Sequence, residues 1–226
     1  MDKKVKRHEI KYAVSLFEAE LLKRRLPCVL RRDPHAGEDG SYFIRSLYFD
    51  DPDFTAYREK LDGVKERTKY RIRFYNMDDS VIFLEKKTKD GDMTGKDSVR
   101  LTRELADAFI RGDRGLLRLE GLCGELGRLR QGAWRPAVIV DYDRWAFKYP
   151  AGNVRVTIDM NVRTAPYRSD IFDPRLLTIP VLDEGEAVLE VKYDDFLPAP
   201  VRELLHGVKK QRCAVSKYTK CLGILE

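Results

Sequence analysis

From Thr68 to Tyr75 the apolar residues Tyr70, Ile72 and Phe74 alternate with Lys69, Arg71 and Arg73. A period of two belongs to a β-strand, whose side chains point alternately to opposite faces. This segment therefore sorts its cations onto one surface and its aromatic and aliphatic groups onto the other. The pattern recurs from Val81 to Lys87, where Ile82 and Leu84 share one face and Glu85 and Lys87 end the other. Glu9/Lys11, Glu85/Lys87 and Glu190/Lys192 form three E-x-K pairs on three separate predicted strands, and Arg100, Arg155 and Asp159 also fall at or near mid-strand. A charged face on strand after strand leaves two architectures. One is an antiparallel sheet with a solvated side. The other is a barrel with a charged interior. Solvated faces favour Thr, Ser and mixed polar groups, whereas long cationic side chains dominate here.

The remaining elements follow from local signals. A strand is predicted over Lys6–Ala13, then a helix opened by the Ser15/Glu18 capping box and running to about Arg25. Tyr42–Phe49 reads as a strand, and Asp50-Asp51-Pro52 as a cap and first-turn proline for a short helix ending near Gly63. Thr68–Tyr75 and Val81–Lys87 form a hairpin turning at Asp78-Asp79, and Ser98–Thr102 is a further strand. Residues 103–131 read as a helix in two pieces. Strands Ala137–Lys148 and Val154–Met160 flank a Pro-Ala-Gly-Asn turn. A last strand, Ala187–Tyr193, precedes helices over Pro200–His206 and Ser216–Leu222. Gly91 to Lys96 resembles a phosphate loop only superficially: three residues separate its glycines and Asp97 follows the lysine, so it reads as a hairpin loop. Many antiparallel strands with helices inserted between hairpins predict an α+β fold with a closed or nearly closed sheet.

Composition sets the outer limits. The 226 residues suit one domain spanning 1–226, and 43% hydrophobic content supports a sizeable core. The net charge of +6 allows an anionic partner without selecting one. The chain reads as a reduced, cytoplasmic protein. Its cysteines (Cys28, Cys123, Cys213 and Cys221) are scattered, and neither a secretory leader nor an apolar membrane-spanning stretch is visible. The tyrosines read as packing groups rather than base-stacking platforms, so no nucleic-acid partner is expected.

If the charged faces line one lumen, about eight cations and four carboxylates meet there. Unpaired buried charge is costly, so such a lumen calls for a polyanion and a metal. Arginines would clamp phosphate oxygens, and carboxylates would hold Mg²⁺ or Mn²⁺.

The segments R-H-E-I-K-Y, R-S-L-Y-F-D, Y-R-E-K-L-D-G, K-Y-R-I-R-F-Y, L-E-K-K-T-K with T-G-K-D-S-V-R, V-R-V-T-I-D, L-E-V-K-Y and V-S-K-Y occur in this order over residues 7–220. Together they resemble the catalytic domain of the vacuolar transporter chaperone (VTC) family, a polyphosphate polymerase domain of the CYTH-like triphosphate tunnel metalloenzyme superfamily. The resemblance implies an eight-stranded antiparallel β-barrel with helices outside and at one end. Its lumen would bind ATP's triphosphate and thread inorganic polyphosphate or pyrophosphate. Lys11, Lys60, Arg71, Arg73, Lys87, Arg100, Arg144, Arg155 and Lys192 are then expected phosphate contacts, with Ser216 and Lys217 closing one end. Where some relatives carry a further lysine this chain has Ala214, with Arg212 and Lys210 as the candidate substitutes. Glu190 matches the metal carboxylate, helped by Glu9 and Glu85. The resemblance lacks that family's regulatory and membrane-spanning attachments, so a separate membrane partner would be needed for translocation.

The reaction implied is metal-assisted transfer of ATP's γ-phosphoryl group to a polyphosphate end, with Arg71, Arg73, Lys87, Arg155 and Lys217 catalytic. A triphosphatase using the same lumen and a non-catalytic polyphosphate-binding module are the alternatives. Crowded cations repel, so truncating Arg71 or Arg73 is expected to weaken triphosphate binding without destabilising the empty protein.

Overall fold

A computed structural model of the chain describes residues 7–113, 134–167, 170–213 and 215–225. Eight strands form the framework: β1 (Arg7–Ser15), β2 (Ser41–Asp50), β3 (Glu66–Tyr75), β4 (Asp78–Asp90), β5 (Met93–Leu101), β6 (Arg135–Tyr149), β7 (Val154–Pro166) and β8 (Glu186–Tyr193). They pair in the order β6-β2-β3-β4-β5-β1-β8-β7, and β7 pairs back onto β6. Every one of these pairings is antiparallel. The sheet is a closed eight-stranded barrel. Closure removes free edges and gives each strand an inside and an outside.

The alternation decides which side is which. Ile72 and Phe74 of β3 and Ile82 and Leu84 of β4 point outward and pack with Ala106 of helix α3 (Arg103–Arg111). Ile72, Phe74 and Ile82 are completely buried there, each contributing roughly 1.5–3 kcal/mol. Helices α1 (Leu16–Arg25) and α4 (Ala199–His206) cover Val156, Ile158 and Leu189 through Leu22, Val201 and Leu205. Helices α2 (Thr55–Leu61) and α5 (Lys217–Leu225) lie near each other, with Tyr218, Cys221 and Leu222 packed against Val138, Val140 and Val162. With the apolar faces turned out under helices, the charged faces are left to the lumen.

Local signals predicted most elements, with corrections at turns and ends. The Ser15 hydroxyl caps α1, accepting from the Glu18 N–H at 3.2 Å. The β3–β4 turn falls at Asn76-Met77, not Asp78-Asp79. Both turn residues have positive φ, 49° and 58°, as a two-residue hairpin requires, and Asp78 and Asp79 belong to β4. Helix α2 starts at Thr55 rather than beside Pro52. The Asp50 carboxylate nonetheless caps it, accepting N–H bonds from Ala56 and Tyr57 at 3.0 Å, and also accepts the Tyr218 hydroxyl. That one carboxylate ties α2 to α5. The second piece of the helix expected over 103–131 lies outside the described residues, as do Cys123 and Ala214. No helix among the described residues is long and apolar enough to cross a membrane.

Candidate active site in the barrel lumen

A cavity of about 410 Å³ occupies the lumen. Among the described residues, twelve Lys and Arg side chains line it against three carboxylates, an excess that an anion would relieve. Lys11, Lys60, Arg71, Arg73, Lys87, Arg144, Lys192, Ser216 and Lys217 all contribute to its wall. Arg100 and Arg155 do not. Arg100 is exposed at the end of β5 and donates to the Ser80 carbonyl at 3.0 Å. Arg155 pairs with Asp33 at 2.9 Å and donates to the Tyr42 hydroxyl at 2.8 Å. Of the two candidates to replace the missing lysine near Ala214, Arg212 lines the cavity, whereas Lys210 bonds the Leu205 carbonyl.

The E-x-K pairs meet because β1 lies against β8 with Lys11 opposite Glu190 and Glu9 opposite Lys192. The Lys11 Nζ sits 3.2 Å from Glu9 and 3.4 Å from Glu190. Lys192 contacts the same two carboxylates at 3.6 and 2.7 Å, and Lys87 reaches Glu9 at 2.9 Å. Burial, the largest influence, and the nearby Glu190 push the Glu9 carboxyl up, but Lys87, Lys11 and Lys192 outweigh them and hold it at about 2. Glu190 is likewise held well below the carboxylate range, against burial, chiefly by Lys192 and Lys11. Both are ionised at neutral pH.

The third expected metal carboxylate stands apart. Glu85 is 2% exposed and absent from the cavity wall. It accepts from Arg71 at 2.7 Å and from Lys96 at 2.8 Å, and Arg73 lies 3.9 Å away. These cations hold it well below its usual value despite burial. Among the described residues no cluster of three His, Cys, Asp or Glu side chains could hold a metal by itself. Glu9 and Glu190 nevertheless suit a hard divalent ion, because Mg²⁺ is typically held by one or two carboxylates together with substrate phosphates and water.

Sequence reasoning did not assign Tyr48, Tyr142 or Lys69 to the site, and it counted Asp159 among the lumen carboxylates without giving it a role. Tyr48 and Tyr142 accept from Arg71 and Arg73, each at 2.8 Å, and fix their guanidinium planes. Wholly buried Asp159 receives a two-pronged contact from Arg144 at 2.6 and 2.7 Å and a bond from Lys217. Lys217 begins α5, which Ser216 caps by accepting from the Thr219 N–H. Lys69 was visible as the next cation along the Arg71/Arg73 alternation.

Lys69 donates to the Ser216 hydroxyl at 3.1 Å and lies over the Tyr218 ring, with no carboxylate ion pair among the described residues. Burial, then repulsion from Lys11 and Lys87, lowers its pKa from 10.5 to about 7. The folded value lies below the unfolded one, so between them the unfolded chain holds more protons and stability rises with pH. The penalty is complete below about pH 7 and fades toward the ordinary lysine pKa of about 10.4. We expect the empty protein to melt higher at about pH 9 than at about pH 7, and Lys69→Met to raise the pH 7 melting temperature while flattening that rise. A Lys69→Met variant that melts lower at pH 7 would show that the ammonium is stabilising.

The VTC domain family model matches residues 6–226. Subunit 4 of the vacuolar transporter chaperone complex of Schizosaccharomyces pombe is 31% identical over 159 residues, covering 60% of this chain and 22% of that protein. Subunit 2 of the Saccharomyces cerevisiae complex is 31% identical over 148 residues, covering 53% and 18%. The chain thus spans about a fifth of the length of these relatives. The PH1819 protein of Pyrococcus horikoshii OT3 shares the fold, with a TM-score of 0.51 at 15% identity over 97% of this chain and 99% of that one. With its eight-stranded barrel, its cationic lumen and a family match over almost its whole length, this chain belongs to the VTC domain family.

Proposed function

We propose that the domain transfers the γ-phosphoryl group of ATP to the end of an inorganic polyphosphate chain inside the lumen. The observation that carries this reading is the twelve-to-three excess of cations over carboxylates, among the described residues, lining the lumen cavity of a VTC-family barrel. Arg71 and Arg73, oriented by Tyr48 and Tyr142, would bind the triphosphate. Lys87, Arg144 and Lys217 lie along the same wall to neutralise its other oxygens. Glu9 and Glu190 would hold Mn²⁺ or Mg²⁺, which when bound supplies Lewis-acid neutralisation of phosphate charge. A terminal phosphate oxygen of the acceptor forms the new P–O bond as the bond to ADP breaks. That oxygen is already deprotonated, so positioning and charge neutralisation suffice without a general base. Because the relatives are named as subunits of a complex, partner proteins are part of this proposal.

Incubation with ATP and Mn²⁺, with products resolved on a gel, tests the reaction. A ladder of long chains supports it, orthophosphate alone indicates a triphosphatase, and no turnover indicates a binding module.

Binding has its own test. Tripolyphosphate at a hundredfold excess over Kd is expected to stabilise the fold by about 2.7 kcal/mol and raise the melting temperature by several degrees. Chloride at matched ionic strength should do much less, because screening supplies no bridging contacts. Duplex DNA should do little, being too wide for an eight-stranded barrel. Equal stabilisation by DNA would place the relevant charge on an open surface and overturn the lumen reading.

A further inference from the structure

Most of the lumen's lysines and arginines rest on a carboxylate. Glu85 takes Arg71, Glu9 and Glu190 take Lys11, Lys87 and Lys192, and Asp159 takes Arg144 and Lys217. Lys69 is different. It lies on the inward face of β3 between Arg67 and Arg71, directly opposite Lys87 of β4. Its half-buried side chain lines the cavity. The Nζ donates to the Ser216 hydroxyl at 3.1 Å and sits 4.6 Å over the Tyr218 ring. The charged groups that act on it most strongly are Lys11, Lys87, Lys60 and Arg67, all cations. Glu59 of α2 acts on it only at longer range.

An ammonium in this position meets like charge and no counter-ion, so the neutral amine is favoured, and cationic neighbours are one way a nucleophilic lysine is activated. With the pKa lowered to about 7, most of the amine carries a lone pair at about pH 7.5. An ordinary lysine does so in roughly one copy per thousand. The same surroundings favour an anion. Lys60 and Arg67 make no ion pair with a carboxylate among the described residues, and Lys60 is repelled by Arg67. The Ser216 oxygen accepts from both Lys69 and the Thr219 N–H, which leaves its own hydrogen to donate. A group that is a neutral amine before reaction and an anion after it satisfies both conditions.

We propose that Lys69 is a carbamylation site, where dissolved CO₂ adds to the amine and the carbamate pairs with Lys60 and Arg67 and accepts from Ser216. The nitrogen lone pair forms an N–C bond, one C=O π pair moves onto oxygen, and the nitrogen releases a proton to water. The products are R–NH–COO⁻ and H⁺, with no oxidant or reductant. Lys87 is a poorer site because its Nζ lies 2.9 Å from both Glu9 oxygens, where a carbamate would face a carboxylate. Carbamylation supplies the missing counter-ion, so CO₂ stabilises the empty barrel and takes up cations that a polyanion would otherwise use. The assignment stands whether or not the lumen carries out the phosphoryl transfer proposed above.

Carbon NMR of the whole chain in isotope-labelled bicarbonate at about pH 7.5 tests this. The wild type should show a carbamate resonance beyond that of the α-amine, which titrates near about 8 and also reacts. Lys69→Met should lose the extra resonance and keep the α-amine's. Lys69→Arg keeps the positive charge, cannot react at this pH, should lose the resonance too, and serves if the methionine variant fails to fold. Against chloride at matched ionic strength, bicarbonate should raise the wild-type melting temperature by about 2–4 °C and leave the variants unmoved. No extra resonance in the wild type, or one that survives in the variants, would overturn the assignment. An equal rise in melting temperature for wild type and variants would mean that bicarbonate acts as a free ion, and would overturn it as well.

Discussion

Glu190→Gln is expected to lower metal-dependent turnover of ATP by a hundredfold or more while leaving the barrel folded. A catalytic metal contributes several kcal/mol of charge stabilisation, and each 1.36 kcal/mol is a factor of ten in rate. Glu190 is one of two carboxylates that face the cavity beside Lys11 and Lys192, and its ionised state is what a divalent ion would need. The amide keeps the shape and removes the charge. A second measurement separates a metal role from a purely electrostatic one. In chelator, with no divalent ion, loss of one negative charge from the cavity should strengthen tripolyphosphate binding. With Mn²⁺ present, the same substitution should weaken it. A variant whose Mn²⁺ titration of turnover matches the wild type would remove Glu190 from the metal site.

Arg71→Ala is expected to cost roughly 3–5 kcal/mol of stability, the penalty for stranding a buried charge, and to weaken triphosphate binding as well. The sequence supported the opposite expectation for stability, because a row of lumen cations ought to repel. The tertiary structure revises it: the Arg71 guanidinium grips Glu85 at 2.6 and 2.7 Å. Glu85 is 2% exposed, with Lys96 as its other close partner. Removing the arginine leaves a buried carboxylate under-neutralised, and that outweighs the relief of repulsion. Urea denaturation of Arg71→Ala, Glu85→Ala and the double variant tests the coupling. The double variant should recover much of the loss, since replacing both partners of a buried pair costs far less than breaking it. Should Arg71→Ala melt at or above the wild type, Glu85 is satisfied without it and the pair is not structural. Lys69, with no carboxylate ion pair among the described residues, is where the repulsion argument still holds.

Which residues form strands, and which face of each strand is charged, was legible in the sequence because alternation is local. Tyr70, Ile72 and Phe74 against Lys69, Arg71 and Arg73 could be sorted without knowing a single long-range contact, and closure into a barrel put all such faces into one lumen. Hairpin tips were less legible. The backbone at Asn76-Met77 takes positive φ without a glycine to announce it. What the sequence could not decide was which charge meets which. Lys11 lies opposite Glu190 across 179 positions of chain, and Arg144 reaches Asp159. Glu85 carries the same E-x-K signature as Glu9 and Glu190 yet is drawn behind the wall by Arg71 and Lys96. Strand register around the closed barrel sets these pairings. Register is a property of all eight strands together, and it separates a carboxylate that faces the cavity from one consumed in holding an arginine still.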